Sequence, residues 1–319
     1  MGRGVVLRSR PRTERPGGQG RRAGLVGTPI DVLSHPALAR LHPTFAHPES
    51  PERIEVLLAT FPDAREGRPA DRRAVERVHA PEYLDALASL REPAWIDGDT
   101  IASETSWEAA LLAAGCAIEA AESGDFALVR PPGHHATPVR GMGFCLLNNV
   151  AVAARHMQAE HGVERIAIVD FDVHHGNGTQ DAFAADDSVL YASLHQSGIY
   201  PGTGAVGEGG ATTVNVPLRA GSSDDEWLDA FVRHVEPAVA RFEPGLLLVS
   251  AGFDAHEEED LYLVDMHVTD NGFRELAQRC AALAPRIGAV LEGGYNLTTL
   301  PRLVSAALEG FSRESVTAG

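Results

Sequence analysis

From about residue 50 onward the chain alternates between Ala-rich stretches whose apolar positions recur at helical spacing and short runs of continuous apolar residues. The first kind predicts helices over 51–60, 70–79, 81–90, 105–122, 147–160, 224–241, 270–284 and 299–311, each charged on one side and lined with Ala, Leu or Val on the other. The runs between them predict buried strands over 126–130, 165–170, 189–194, 245–250 and 288–292. Apolar strands alternating with helices are the pattern of an α/β fold with a parallel sheet covered on both faces. No internal repeat or long linker divides the chain, so residues 25–319 read as a single domain.

The residues able to do chemistry stand just beyond the strands. Pro131-Pro132-Gly133-His134-His135 comes after 126–130, and Phe171-Asp172-Val173-His174-His175-Gly176-Asn177 after 165–170. His195 comes after 189–194, Asp254 and His256 after 245–250, and Gly293-Gly294-Tyr295 after 288–292. In an open α/β sheet the ligand crevice lies outside the carboxyl ends of the strands, so these residues are expected to converge although they span about 160 positions. Asp170, Asp172 and His174 alternate at i, i+2 and i+4, which on an extended segment directs all three to one face. Two of them with Asp254 supply two carboxylates and one imidazole and leave a coordination position open, as a catalytic metal needs. Zinc is the first expectation for such a set, and Fe2+, Co2+ or Mn2+ suit the same ligands.

Two prolines and Gly133 fix the approach to His134 and His135. Tandem imidazoles in a metal crevice point to proton transfer, with a left-over carboxylate such as Asp170 fixing the tautomer of one ring and Asn177 serving the other. Tyr295 can donate a hydrogen bond to an oxyanion developing on a substrate carbonyl.

Composition narrows the function by exclusion. Of the −17 net charge, residues 1–24 contribute about +6, from seven Arg against Glu14, so the body carries roughly −23. An acidic body without a basic stripe is a poor binder of phosphate backbones, and direct nucleic-acid binding is not expected. All 27 basic residues are Arg, so the chain has no side-chain amine to acylate. Three cysteines without a C-x-x-C pair encode neither a disulfide framework nor a thiolate zinc site. No long apolar stretch or signal core is present, which gives no membrane partner and makes the cytoplasm the expected compartment. Residues 1–24, rich in Arg, Gly and Pro, are expected to be a disordered extension.

Taken together these residues resemble the zinc-dependent histone deacetylase superfamily, whose bacterial relatives include acetylpolyamine amidohydrolases. The resemblance runs from about His42 to Phe311 and rests on HPESPER (47–53), RPPGHHA (130–136), GMGFCLLNN (141–149), VDFDVHHGNGTQ (169–180), YPGTG (200–204), SAGFDAH (250–256) and LEGGYN (291–296). It implies a single-domain arginase/deacetylase-like fold with a parallel sheet of about eight strands between helices. It also implies metal ligands Asp172, His174 and Asp254, His135 as general base, His134 as its electrostatic partner, and Tyr295 polarising the acyl carbonyl. Phe144 and Tyr200 would wall the acyl tunnel, Gly143 would let its floor approach the substrate, and Asp99 would hold the substrate backbone at the rim. A potassium ion would be held by Asp170, Asp172, His174, Ser193 and Leu194.

Asn177 in place of an aspartate, together with Leu-Glu-Gly-Gly-Tyr, resembles the class II branch. The rim departs from the family: where Asp-Pro-Leu is usual, this chain has Glu257-Glu258-Glu259-Asp260-Leu261-Tyr262-Leu263, and either Leu261 or Leu263 faces the substrate. An acidic entrance of this kind would attract a cationic amine or basic peptide. Gly202-x-Gly204-x-x-Gly207 satisfies a dinucleotide pattern, but it is followed by a strand-like run rather than a helix. Cys145, beside the tunnel, reads as a small core residue.

The expected activity is hydrolysis of an acyl group, most simply acetyl, from acetyl-lysine or an acetylpolyamine. Its rivals are a non-catalytic acyl-lysine binding protein and an arginase-type ureohydrolase. A homo-oligomer is open on the sequence.

Overall fold

Eight parallel strands run through the centre of the molecule in the order β2-β1-β3-β8-β7-β4-β5-β6. They are β1 (Val32–Ser34), β2 (Arg65–Glu66), β3 (Phe126–Ala127), β4 (Ile166–Asp170), β5 (Val189–Gln196), β6 (Thr213–Leu218), β7 (Leu246–Ala251) and β8 (Ile287–Leu291). The computed structural model describes residues 30–312, so the Arg-rich segment 1–24 lies outside the described residues. Every residue of β4, β7 and β8 is buried, which requires cover on both faces of the sheet and explains their unbroken apolar runs. Among the described residues, no helix is long and apolar enough to cross a membrane.

The helices begin and end where local chemistry dictates. Helix α1 spans Leu38–Leu41, α2 Glu52–Thr60, α3 Arg72–Val75, α4 Pro81–Ala88, α5 Ser106–Ser123 and α6 Asn149–His161. Helix α7 spans Asn177–Phe183, α8 Asp224–Ala230, α9 Glu236–Phe242, α10 Asp270–Ala282 and α11 Leu300–Phe311. Asn148 caps α6 by accepting from the Ala151 N–H at 3.0 Å, and α6 ends on Gly162 with φ +65°. Helices α5 and α6 pack against each other, as do α10 and α11.

Three sequence expectations are corrected. The helix expected over 70–79 is only Arg72–Val75: Asp71 caps it by accepting from the Ala74 N–H at 2.8 Å, and after Val75 the Arg77 and Val78 N–H groups bond to carbonyls three residues back, which turns the chain before Pro81 holds Ala80 extended (ψ 136°). The helix expected over 224–241 contains a π segment at Phe231–Val235, directly before Pro237, whose missing N–H cannot complete the α ladder to Arg233. His195 lies inside β5 rather than after it. The run after Gly202 is strand β6, not a helix, so the glycine pattern there has no helix N-terminus to hold a pyrophosphate.

Register fixes where the chemistry begins. Asp170, the last residue of β4, lies opposite Ser193 of β5 and Ser250 of β7, so the strand ends open together on one edge of the sheet. A buried imidazole stitches the loops above that edge: His79 Nδ1 donates to the Thr137 carbonyl at 3.0 Å, and its Nε2 accepts from the Asn148 N–H at 2.9 Å. This ring must be neutral, since a proton on Nε2 would break the second bond, and burial pushes its pKa down to about 4. A depressed imidazole pKa contributes stability that is present above its unfolded value near 6.5 and is lost as pH falls through about 4. Chemical denaturation between pH 7 and 4 is therefore expected to show a loss of about 3 kcal/mol from this ring. His79→Gln, neutral at every pH, should flatten that part of the slope; an unchanged slope would exclude His79 as its cause.

Candidate active site

Beneath the open edge lies a wholly buried ionic network. Arg130 grips Glu49 with two parallel bonds, Nε to Oε1 and Nη2 to Oε2, both 2.8 Å, and donates from Nη1 to the Leu38 carbonyl at 3.0 Å. Arg53, one turn from Glu49, donates to the carbonyls of Glu292 at 2.6 Å and Gly294 at 2.8 Å. The carboxylate of Glu292 accepts from the backbone N–H groups of Gly133 at 2.6 Å and His134 at 3.1 Å. Three sequence motifs thus meet in one cluster that holds the histidine loop and the tyrosine loop against each other.

The two imidazoles occupy opposite electrostatic environments. His134 and His135 have ring centroids 4.1 Å apart. His134 Nδ1 lies 3.0 Å from Asp170 Oδ2, which also accepts from the Tyr191 hydroxyl at 3.0 Å. Burial disfavours a charge on His134, but Asp172 and Asp170 outweigh it and push the pKa up to about 10. His135 Nδ1 lies 2.8 Å from Asn177 Oδ1, a neutral acceptor. Burial, reinforced by the nearby His134 and His174, holds His135 well below the ordinary imidazole value.

Beside the pair, donor atoms of Asp172, His174 and Asp254 lie within 4.8 Å of one another. His174 Nδ1 sits 3.1 Å from both Asp172 Oδ1 and Asp254 Oδ2. Backbone N–H groups hold the carboxylates: Gly293 donates to Asp172 Oδ2 at 2.8 Å and Val173 to Asp254 Oδ1 at 2.9 Å. Burial and the Asp172 charge raise the pKa of Asp254, a conflict between buried like charges that a cation would resolve. A side chain at Gly293 would place its Cβ 2.3 Å from Asp254 Oδ2, so this approach of the tyrosine loop admits only glycine. Two carboxylates and an imidazole converging in a buried site fit a divalent ion of the zinc class.

Asp170 does not share the face of the other two. Strand β4 ends at Asp170 and residues 171–176 are irregular, so the i, i+2, i+4 argument fails, and the carboxylate turns to His134 and Tyr191 instead. Ser193 donates or accepts at His195 Nδ1, 2.9 Å away, and Leu194 is fully buried in β5.

Aromatic rings surround the approach. Tyr200 stands edge-on to His135 at 5.0 Å, Phe144 stands edge-on to Tyr295 at 5.6 Å, and Arg53 lies over the Tyr295 ring at 4.8 Å. Gly143 has φ +54°, and a Cβ there would lie 2.6 Å from His135 and 2.7 Å from Tyr200. The turn is pinned from outside: Thr100 accepts from the Phe144 N–H at 2.9 Å and Asp97 from the Gly143 N–H at 3.3 Å. Asp99 is half-buried in the same loop, its carbonyl bonded to His47 Nε2 at 3.0 Å.

Residues 47–311 match the histone deacetylase domain family. The chain belongs to the histone deacetylase family. It is 38% identical over 304 residues to a probable deacetylase of Archaeoglobus fulgidus, spanning 84% of each chain. It is 37% identical over 294 residues to a histone deacetylase-like amidohydrolase of Pseudomonas aeruginosa, spanning 83% of this chain and 77% of that protein. The crystal structure of the HDA15 HD domain superposes with a TM-score of 0.84 at 35% identity, covering 91% of this chain and 90% of that one. The family supplies a deacetylase or amidohydrolase activity on acylated substrates and the eight-stranded parallel fold.

In this deacetylase-family protein the acidic run 257–260 is less of an open negative surface than its composition suggests. Glu259 turns inward and accepts from the backbone N–H groups of Tyr295 at 2.9 Å and Asn296 at 3.3 Å, and Glu258 pairs with Arg302 at 2.5 Å. Leu261 is half-buried, whereas Leu263 is exposed and has φ +66°. Glu292 and Glu259 are positioning residues that single-sequence reasoning misses, because both act through backbone N–H groups far away in sequence. Cys145 is buried and its thiol is pushed well above the ordinary value by burial, so it offers no reactive thiolate.

Burial pushes the Glu259 carboxyl up to about 7, so its contribution to stability is present below pH 4.5 and is lost as pH rises through 7. Glu259→Gln keeps an acceptor for both N–H groups and is expected to retain activity while gaining stability over the parent above pH 7. Glu259→Ala is expected to lower kcat about 10-fold by loosening the Tyr295 turn. Steady-state kinetics and melting curves on the two variants check this; equal kcat in Ala and Gln would show that the turn holds itself.

Proposed function

We propose that the protein is a zinc-dependent deacetylase that hydrolyses the N-acetyl amide of a primary amine. One juxtaposition carries this reading: the Asp172–His174–Asp254 cluster lies against a histidine pair with opposed proton affinities and faces Tyr295 across an aromatic-walled approach. Zinc bound by those three residues would supply a Lewis acid for the amide carbonyl and for the attacking water.

The remaining work falls to the chain's own groups. His135 donates its Nδ1 proton to Asn177 Oδ1, which leaves Nε2 as a base that takes a proton from the attacking water. As the water oxygen bonds to the carbonyl carbon, the Tyr295 hydroxyl donates to the developing oxyanion. Collapse of the tetrahedral species breaks the C–N bond as the amine nitrogen accepts a proton from the histidine pair. His134, kept positive by Asp170 and Asp172, stabilises the negative charge throughout. Phe144 and Tyr200 exclude water from the acyl chain, and Asp99 would hold the substrate backbone outside.

A potassium ion, implied by resemblance, would draw on oxygen atoms of Asp170, Asp172, His174, Ser193 and Leu194, the donor type a hard cation takes. Acetyl-lysine is the favoured amine over an acetylpolyamine, because the partnered acids Glu258 and Glu259 leave less negative charge at the entrance than the sequence implies. A turnover panel of acetyl-lysine peptides against acetylated polyamines tests this preference, and faster polyamine turnover would reverse it.

Chelation is expected to abolish amide hydrolysis and zinc or cobalt to restore it. Asp254→Ala should lose both this metal and activity, whereas Tyr295→Phe should keep the metal and lose about 10²–10³ in kcat. Metal analysis beside kinetics separates the two roles: full activity of a metal-free preparation would defeat the proposal, and metal loss in Tyr295→Phe would reassign the tyrosine.

A further inference from the structure

A second cluster of metal-ligating side chains stands at the opposite edge of the sheet. Glu122 is near the C-terminal end of α5, just before β3 begins, and His156 and His161 lie on the last turns of α6, just before β4 begins. The catalytic loops leave the other ends of these strands, so this cluster has no part in the site described above.

Its geometry is convergent. Nε2 of His156 and Nε2 of His161 lie 3.0 and 2.9 Å from the same oxygen, Glu122 Oε1, with the two rings 5.7 Å apart. Zinc–nitrogen and zinc–oxygen bonds of about 2.0–2.1 Å give a tetrahedron with edges of roughly 3.3 Å; both oxygen–nitrogen edges are within a few tenths of an ångström of that, and all three ligand atoms lie within 4.8 Å of one another. The cluster forms part of the wall of a cavity of about 620 Å³, which leaves room for water at a remaining coordination position. The other carboxylates in that wall are already engaged: Glu119 pairs with Arg68 at 3.1 Å, Glu160 pairs with Arg77, and Asp71 caps α3 by accepting from the Ala74 N–H at 2.8 Å. The Glu122 side chain instead turns to two imidazoles, neutral ligands when deprotonated, and two imidazoles with one carboxylate form a donor set of the zinc class.

We infer that Glu122, His156 and His161 form a second divalent-metal site, selective for zinc-class ions over magnesium or calcium, which fastens the C-terminal ends of α5 and α6 to each other. Hard cations prefer all-oxygen sites, which sets the selectivity. Each imidazole must offer a proton-free ring nitrogen to the ion, so protons and metal compete for the same atoms.

The test uses full-length protein stripped by chelator and titrated with zinc at pH 7.5. Asp254→Ala, which empties the proposed catalytic site, is expected to bind one zinc with a dissociation constant on the order of 1 μM. Adding His156→Ala and His161→Ala should weaken that binding by about 100-fold or more. In the parent background the same two substitutions should remove one of two zinc equivalents and leave amide hydrolysis unchanged. Zinc should also raise the melting temperature of Asp254→Ala but not of the triple variant. Zinc binding by Asp254→Ala that is absent, or that survives both histidine substitutions, overturns the second site. A parent that binds only the zinc lost in the double histidine variant would instead overturn the catalytic assignment, so the two failures are distinguishable.

Discussion

Glu49, clasped by Arg130 and approached by Arg53 with none of the three side chains reaching solvent, is the interaction on which the rest of the site depends. The loops leaving the carboxyl ends of the strands are irregular and buried, so their carbonyls have no ladder to bond to. Guanidinium groups answer that need with several donors fixed in one plane: the loop carbonyls of Glu292 and Gly294 each receive one from Arg53, and Arg130 reaches that of Leu38 at the start of α1. Such a network is costly to desolvate and costly to break: removing one partner of a buried ion pair typically destabilises by about 3–5 kcal/mol, because the other charge is left unpaired. Its contribution lies in positioning, since the histidine loop and the tyrosine loop meet on it.

The same burial makes the chemistry work through contrast. His134 and His135 are adjacent in sequence and share one loop, yet Asp170 and Asp172 face the first while a neutral amide faces the second. One ring is held protonated and the other neutral near pH 7, so an acid and a base coexist about 4 Å apart. A carboxylate in place of Asn177 would narrow that contrast by favouring charge on the second ring. The buried acids Asp170, Asp172, Asp254 and Glu292 repel one another, and the imidazoles of His134 and His174 set among them offset part of that charge.

The parts of this arrangement legible in the sequence are those that come from periodicity and from polar residues at strand ends. The central strands, the long helices and the meeting of His134, His135, Asp172, His174, Asp254 and Tyr295 on one edge are all of this kind. The short strands β1 and β2 at one side of the sheet, of three and two residues, carry too little pattern to be seen. Alternation places Asp170 and Asp172 on one face only if the strand continues past Asp170, and it stops there. Glu292 and Glu259 escape the sequence for a different reason: each acts by accepting backbone N–H groups from a loop 36 to 159 residues away, and no spacing rule reaches that far.

The base and the rim of the site are therefore built by different physics. At the base, buried charges tie three motifs together, and a change at any one leaves an unpaired ion in a place water cannot reach. At the rim, the segment Glu257–Leu263 is held by local turns, an exposed Glu258–Arg302 pair, the inward carboxylate of Glu259 and two bonds to its backbone, from Asn296 to the Glu258 carbonyl and from Gln196 to the Leu263 carbonyl, both 2.8 Å, and it carries Tyr262 and Leu263 out into solvent. Exposed pairs and local turns contribute little to stability, so residues there can change at small cost. Glu259 is the exception, because it reaches from the rim to the Tyr295 turn. Variation in the entrance can thus alter which acylated substrate is admitted without disturbing the groups at the base, provided that one carboxylate keeps its hold.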